Sequence, residues 1–93
     1  MPKLTLFHLE HCPYCKNAKK ALKELLEANA AYGAVEIEWI EESLQPEIAE
    51  KYDYYYVPSV FLDGKKLYEC RPSDDFAAIR EHMKSALDAA IQA

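Results

Sequence analysis

From Lys3 to Leu9 the chain carries Leu4, Leu6, Phe7 and Leu9, apolar to both sides. That pattern predicts a strand covered on both faces. The period then changes. Ala18, Ala21, Leu22, Leu25 and Leu26 recur at three and four, with Lys16, Asn17, Lys19, Lys20, Lys23 and Glu24 on the wet side. This predicts a helix from about Pro13 to Glu27, its proline in a first turn where the missing N–H costs nothing. Asn29 to Gly33 reads as a fraying end and a turn. Val35 to Ile40 alternates, with Val35, Ile37 and Trp39 against Glu36 and Glu38, as a strand at a sheet edge does. Ser43 to Asp53, with Leu44, Pro46, Ile48, Ala49 and Tyr52, reads as a short helix. Tyr54-Tyr55-Tyr56 is a loop before a third strand, Val57 to Leu62. Asp63-Gly64 signals a tight turn, so Lys65 to Cys70 returns antiparallel. Pro72-Ser73-Asp74 reads as loop and N-cap. The last helix spans Asp75 to Ile91 and buries Phe76, Ile79, Met83, Ala86, Leu87, Ala90 and Ile91.

The element order is therefore βαβαββα. A helical crossover makes the first two strands parallel, and the last two form a hairpin. The expected class is α/β: a four-stranded mixed sheet with helices on both faces, built as one domain over residues 1–93. The 93 residues suit one small core. A net charge of −5 argues against a nucleic-acid partner, which needs clustered Lys and Arg. No apolar run approaches the roughly 20 residues that span a bilayer. Met1-Pro2-Lys3 leads straight into a strand with no signal-peptide core, so a cytoplasmic location is expected.

Three cysteines are an odd count for a structural disulfide framework. Two of them form Cys12-Pro13-Tyr14-Cys15, at the junction between strand and helix. A thiolate on Cys12 gains there from unpaired backbone N–H groups and the helix dipole. Lys16, one turn on, and His11, if protonated, add positive charge. Cys12 then attacks a disulfide and Cys15 resolves the mixed disulfide. The competing reading is half of a zinc site. A closed zinc site needs four ligands, and no second C-x-x-C is present; His8 and His11 would have to crowd a strand end.

Cys12-Pro13-Tyr14-Cys15 and Val57-Pro58-Ser59-Val60-Phe61 together give the chain a resemblance to the glutaredoxin branch of the thioredoxin-like superfamily. Asp63-Gly64 and Asp74-Asp75 are similar to the family's turn and to the acidic pair before its last helix. The resemblance implies a thioredoxin-like fold and a Pro58 held cis that faces the active site. Val57 would then lend its backbone to a cysteine-containing substrate in β-fashion. It implies a substrate surface made of Pro13, Tyr14, Tyr56, Val57, Pro58, Asp74 and Asp75. It implies no permanently bound cofactor, and glutathione as a candidate reductant. Three family features are changed. Leu9 stands where a lysine is usual, Tyr56 stands where a threonine precedes Val-Pro, and Tyr68-Glu69 stands near the usual Gly-Gly. These changes weaken the expectation of glutathione.

Tyr14 either stacks on a substrate or shields the disulfide. Tyr54, Tyr55 and Tyr56 cannot all face inward. They form a docking surface for proteins, or they pack on the second helix. Cys70 reads as a small buried hydrophobe or as a regulatory or dimer-forming thiol, Trp39 as core, and His8 as core edge or solvent-facing. Three functions fit. One is an oxidoreductase that reduces protein or small disulfides. The second is an electron carrier dedicated to one client and fed by a thioredoxin-type reductase. The third is an iron–sulfur module, which Pro13 disfavours. Membrane and nucleic acid are not expected partners.

Overall fold

In the computed structural model, which describes residues 2–93, β1 (Lys3–His8) lies in the middle of the sheet. Met1, the first residue of the expected leaderless start, lies outside the described residues. The strand order is β2-β1-β3-β4, with β2 spanning Glu36–Glu41, β3 Ser59–Leu62 and β4 Lys65–Glu69. β1 pairs parallel with β2, where Leu6 stands opposite Trp39, and antiparallel with β3, where Leu6 stands opposite Val60. Neighbours on both sides explain why Leu4 to His8 are all buried. The hairpin closes at Asp63 and Gly64, at φ 50° and 83°, the left-handed pair that a two-residue hairpin turn requires. The β3–β4 register shifts between Val60 and Phe61, a bulge in the hairpin.

The architecture is the expected α/β one: a mixed sheet covered on both faces. One face carries α1 (Pro13–Ala28) and α3 (Phe76–Gln92), which pack on Leu4, Leu6 and Val60 through Ala18, Ala21, Leu22, Leu25, Ile79, Met83 and Leu87. The other face carries a smaller cluster of Phe7, Ile40 and Phe61 under α2 (Pro46–Ala49) and the loop after it.

Four expectations change. Leu26 and Ile91 lie at the margins of their stripes and are exposed, at 37% and 42%. The second helix keeps four residues of the expected eleven, and Leu44 is 75% exposed, outside it. The segment after α1 is an ordered 3-10 turn, Ala30–Ala34. Its Tyr32 is buried and donates to Asp88 Oδ1 on α3 at 2.6 Å. The N-cap of α3 is Asp75, whose carboxylate accepts from Ala78 N at 2.8 Å; the expected capping segment ended one residue earlier.

Candidate dithiol site

Cys12 is the N-cap residue of α1, with extended backbone (φ −79°, ψ 123°) and Pro13 as the first helical residue. Its side chain makes no capping bond, so the sulfur stands free at the helix N-terminus, half-buried. Its amide donates to Leu9 O at 3.2 Å and its carbonyl accepts from Lys16 N at 3.0 Å, which fixes the turn. One turn in, Cys15 is buried. Leu9 N–H points at its sulfur at 3.5 Å. Burial pushes the Cys15 thiol up to about 12, against the pull of that N–H, and the neighbouring Cys12 sulfur adds to the rise. The two sulfurs are therefore chemically unequal: one accessible at a helix end, one held protonated beneath it.

Val57–Pro58 is cis, as expected. Pro58 is buried, and its carbonyl accepts from Cys70 N at 3.0 Å, which extends the hairpin past Glu69. Cys70 is buried, and its thiol donates to Arg71 O at 3.5 Å. Its thiol is pushed up, first by burial. Tyr14 reaches across to the same loop, and its hydroxyl donates to Pro72 O at 2.9 Å. Bonds thus run from the helix N-terminus through Tyr14 and Pro72 to the loop before α3, and from Cys70 to the cis-proline. His11 and Lys16 are both exposed; among the described residues neither makes a side-chain hydrogen bond or ion pair.

The tyrosine triplet divides. Tyr54 is half-buried against the smaller cluster: its ring stacks on Phe7 (4.7 Å, 22°) and meets Phe61 edge-on, and its hydroxyl donates to Glu42 at 2.6 Å. Tyr55 is 83% and Tyr56 44% exposed. One carboxylate organises them. Glu69 Oε2 accepts from Tyr55 N at 2.6 Å and Tyr56 N at 2.7 Å, while Oε1 pairs with Lys66 at 2.8 Å. The Lys66 ammonium and these amides hold the Glu69 carboxyl down to about 2. Glu69 is a residue that sequence reasoning missed, because its partners are backbone amides 13 and 14 positions away.

Asp74 and Asp75 have different tasks. Asp74 accepts from the Tyr68 hydroxyl at 2.6 Å and from Arg71 N at 3.1 Å. Burial and that carboxylate push the Tyr68 hydroxyl strongly upward. Asp75 caps α3. Asp74 also borders an open groove of about 790 Å³, with Tyr56, Glu69, Arg71, Pro72 and His82. Among the described residues no three His, Cys, Asp or Glu side chains gather as a metal site needs. His8 is buried against Trp39, which is itself half-buried.

The glutaredoxin family model matches residues 4–67. The fold is similar to oxidized mitochondrial thioredoxin 3 from Saccharomyces cerevisiae, at 21% identity and a TM-score of 0.61, over 89% of this chain and 76% of that one. It is similar to oxidised thioredoxin from Plasmodium falciparum, at 16% identity and 0.62, over 89% and 78%. It is also similar to a thioredoxin-like protein from Clostridium perfringens, at 25% identity and 0.58, over 92% and 71%. No curated protein matches the chain closely enough to count as a relative.

Proposed function

The chain belongs to the glutaredoxin family, and from that premise we propose that it is a dithiol thiol–disulfide oxidoreductase. The observation that carries this reading is the inequality of the two sulfurs. Cys12 stands at a helix N-terminus, where the helix dipole favours a thiolate. It attacks a substrate disulfide, forms a Cys12–substrate bond and releases the other half as a thiolate. Cys15, buried with its thiol pushed up to about 12, waits for that intermediate. It gives its proton to a departing thiolate and attacks Cys12 Sγ, which frees the second half. The product is a Cys12–Cys15 disulfide and a reduced client. A dithiol or two monothiols from a reductant restore the site.

The clients are proteins or small disulfides. Tyr55, Tyr56 and the groove bordered by Arg71 and Asp74 suit an extended segment of protein laid along Pro13, Tyr14 and Val57, while Pro58, expected on that surface, is fully buried beneath it. His11 and Lys16 tune the local charge. The working site is the cytoplasm, and the 93 residues act as one domain. Among the described residues no helix is long and apolar enough to cross a membrane.

A second reading of the reductant has its own support. The groups in the family's glutathione positions are apolar or already engaged: Leu9 offers no charge, Tyr68 is bonded to Asp74, and Glu69 to its loop. We therefore place a thioredoxin-type reductase, rather than glutathione, upstream. The test is single-turnover reduction of the Cys12–Cys15 disulfide by each donor. Reduction by the reductase outpacing millimolar glutathione supports the dedicated carrier. Faster reduction by glutathione would reverse that assignment and leave the dithiol chemistry intact.

A further inference from the structure

The segment that enters the cis-proline, Tyr54 to Val57, belongs to no helix or strand. Its backbone groups therefore need partners from outside the segment. Glu69, in the last position of β4, supplies two of them. Its Oε2 accepts from both Tyr55 N and Tyr56 N, and its Oε1 pairs with Lys66. The downstream end is tied by Ser59, fully buried on β3, whose hydroxyl donates to Tyr56 O. The upstream end is tied by the Tyr54 ring against Phe7. The backbone is thus anchored at three points, yet the side chains between the anchors are exposed. The Tyr55 and Tyr56 rings meet edge-on, 4.8 Å apart at 83°.

An exposed loop is ordinarily free to move, and ordering it when a partner binds costs affinity. Here a carboxylate on the neighbouring strand does the ordering in advance. Two tyrosines on a fixed backbone offer a protein partner large apolar area with little entropy left to lose. A small disulfide has too little surface to use such a platform. Resting on the thiol–disulfide reading above, we propose that Glu69 is a positioning residue that sets selectivity for protein clients. It presets Tyr55 and Tyr56 beside Val57, so that a segment of a disulfide-bonded protein meets a finished surface rather than a mobile loop. It acts through that loop and not on the reacting sulfurs. Lys66 and the two amides keep the carboxyl ionised, so the support is constant near neutral pH.

The pre-reduced full chain is mixed with excess insulin or excess hydroxyethyl disulfide in a single turnover. Formation of the Cys12–Cys15 disulfide is followed by acid quench and mass spectrometry, so no electron donor enters the assay. Glu69→Ala should lower the preference for insulin over hydroxyethyl disulfide about tenfold, the factor expected when about one backbone residue must be ordered again on binding. The loss should lie in the insulin concentration at half-saturation and not in the limiting rate. Glu69→Gln, which keeps an acceptor, should lose about threefold and carries the test if the alanine chain does not fold. On a background of Tyr55→Ser with Tyr56→Ser, Glu69→Ala should change the preference no further, because its effect runs through those two rings. Equal slowing with both substrates, an unchanged preference, or a loss that persists in full on the serine background would overturn the proposal. A reduced wild-type chain inert to both disulfides would overturn the dithiol reading and the proposal with it. Reduction of hydroxyethyl disulfide by the wild type leaves that reading standing even where the Glu69 result goes against the proposal.

Discussion

Removal of the Glu69 carboxylate should release the Tyr55-Tyr56 loop. In the structure one oxygen holds both loop amides, at 2.6 and 2.7 Å, and the other holds Lys66 at 2.8 Å. Hydrogen bonds to a charged group contribute roughly 1.5–3 kcal/mol each when well shielded. The Glu69 side chain is 21% exposed and Lys66 37%, so solvent competes and the ion pair adds little. About 2 kcal/mol in all is the reasonable expectation for Glu69→Ala, and about half of that for Glu69→Gln, which keeps an acceptor without the charge. In a domain of this size 2 kcal/mol lowers Tm by about 10 °C. Amide exchange locates the loss: Tyr55 and Tyr56 should lose protection in the alanine variant while the strand amides keep theirs. The carboxyl is held down to about 2 from an ordinary 4.5. A depressed folded value means that its stabilisation is complete above about pH 4.5 and lost as pH falls toward 2. The Glu69→Gln stability curve should be flatter across that window. An unchanged Tm with unchanged Tyr55 and Tyr56 protection would refute the reasoning.

Tyr54→Ala should cost about 2 kcal/mol in urea unfolding, because it removes the half-buried ring stacked against Phe7 and Phe61. Tyr55→Ala, at a residue 83% exposed, should stay within about 0.5 kcal/mol. Asp75→Ala should cost about 1 kcal/mol by thermal unfolding, through loss of the cap on Ala78 N. Serine at both Tyr55 and Tyr56 should slow reduction of a protein disulfide more than of hydroxyethyl disulfide; equal slowing would remove the loop from client choice. In native alkylation at neutral pH followed by mass spectrometry, Cys12 should be labelled well before Cys15, whose thiol is buried and raised to about 12.

The sheet was legible because its signals are local and agree with one another. β1 is apolar throughout since it has neighbours on both sides, and Asp63-Gly64 alone sets the hairpin. The dithiol was legible because four consecutive residues carry it. Helix margins were not: a periodic stripe says which face is apolar, not how wide the covered band is, and so it assigns the exposed Leu26 and Ile91 to the inside. The 3-10 turn at Ala30–Ala34 escaped because its anchor, Tyr32 to Asp88, joins residues 56 apart. The tyrosine triplet shows the limit best. A run of three identical residues carries no periodicity, and only the position of Phe7 and Phe61 draws Tyr54 inward and leaves its neighbours on the surface.

The central claim is the division of labour between the two sulfurs, and trapping the intermediate tests it most directly. Cys15→Ser and Cys12→Ser, each with Cys70 left in place, are mixed with a protein disulfide, quenched in acid and read by mass spectrometry. The account expects a mixed disulfide on Cys12 to accumulate in Cys15→Ser and no adduct to form in Cys12→Ser. An adduct on Cys15 in the Cys12→Ser chain, formed as fast as that on Cys12 in the other, would contradict it.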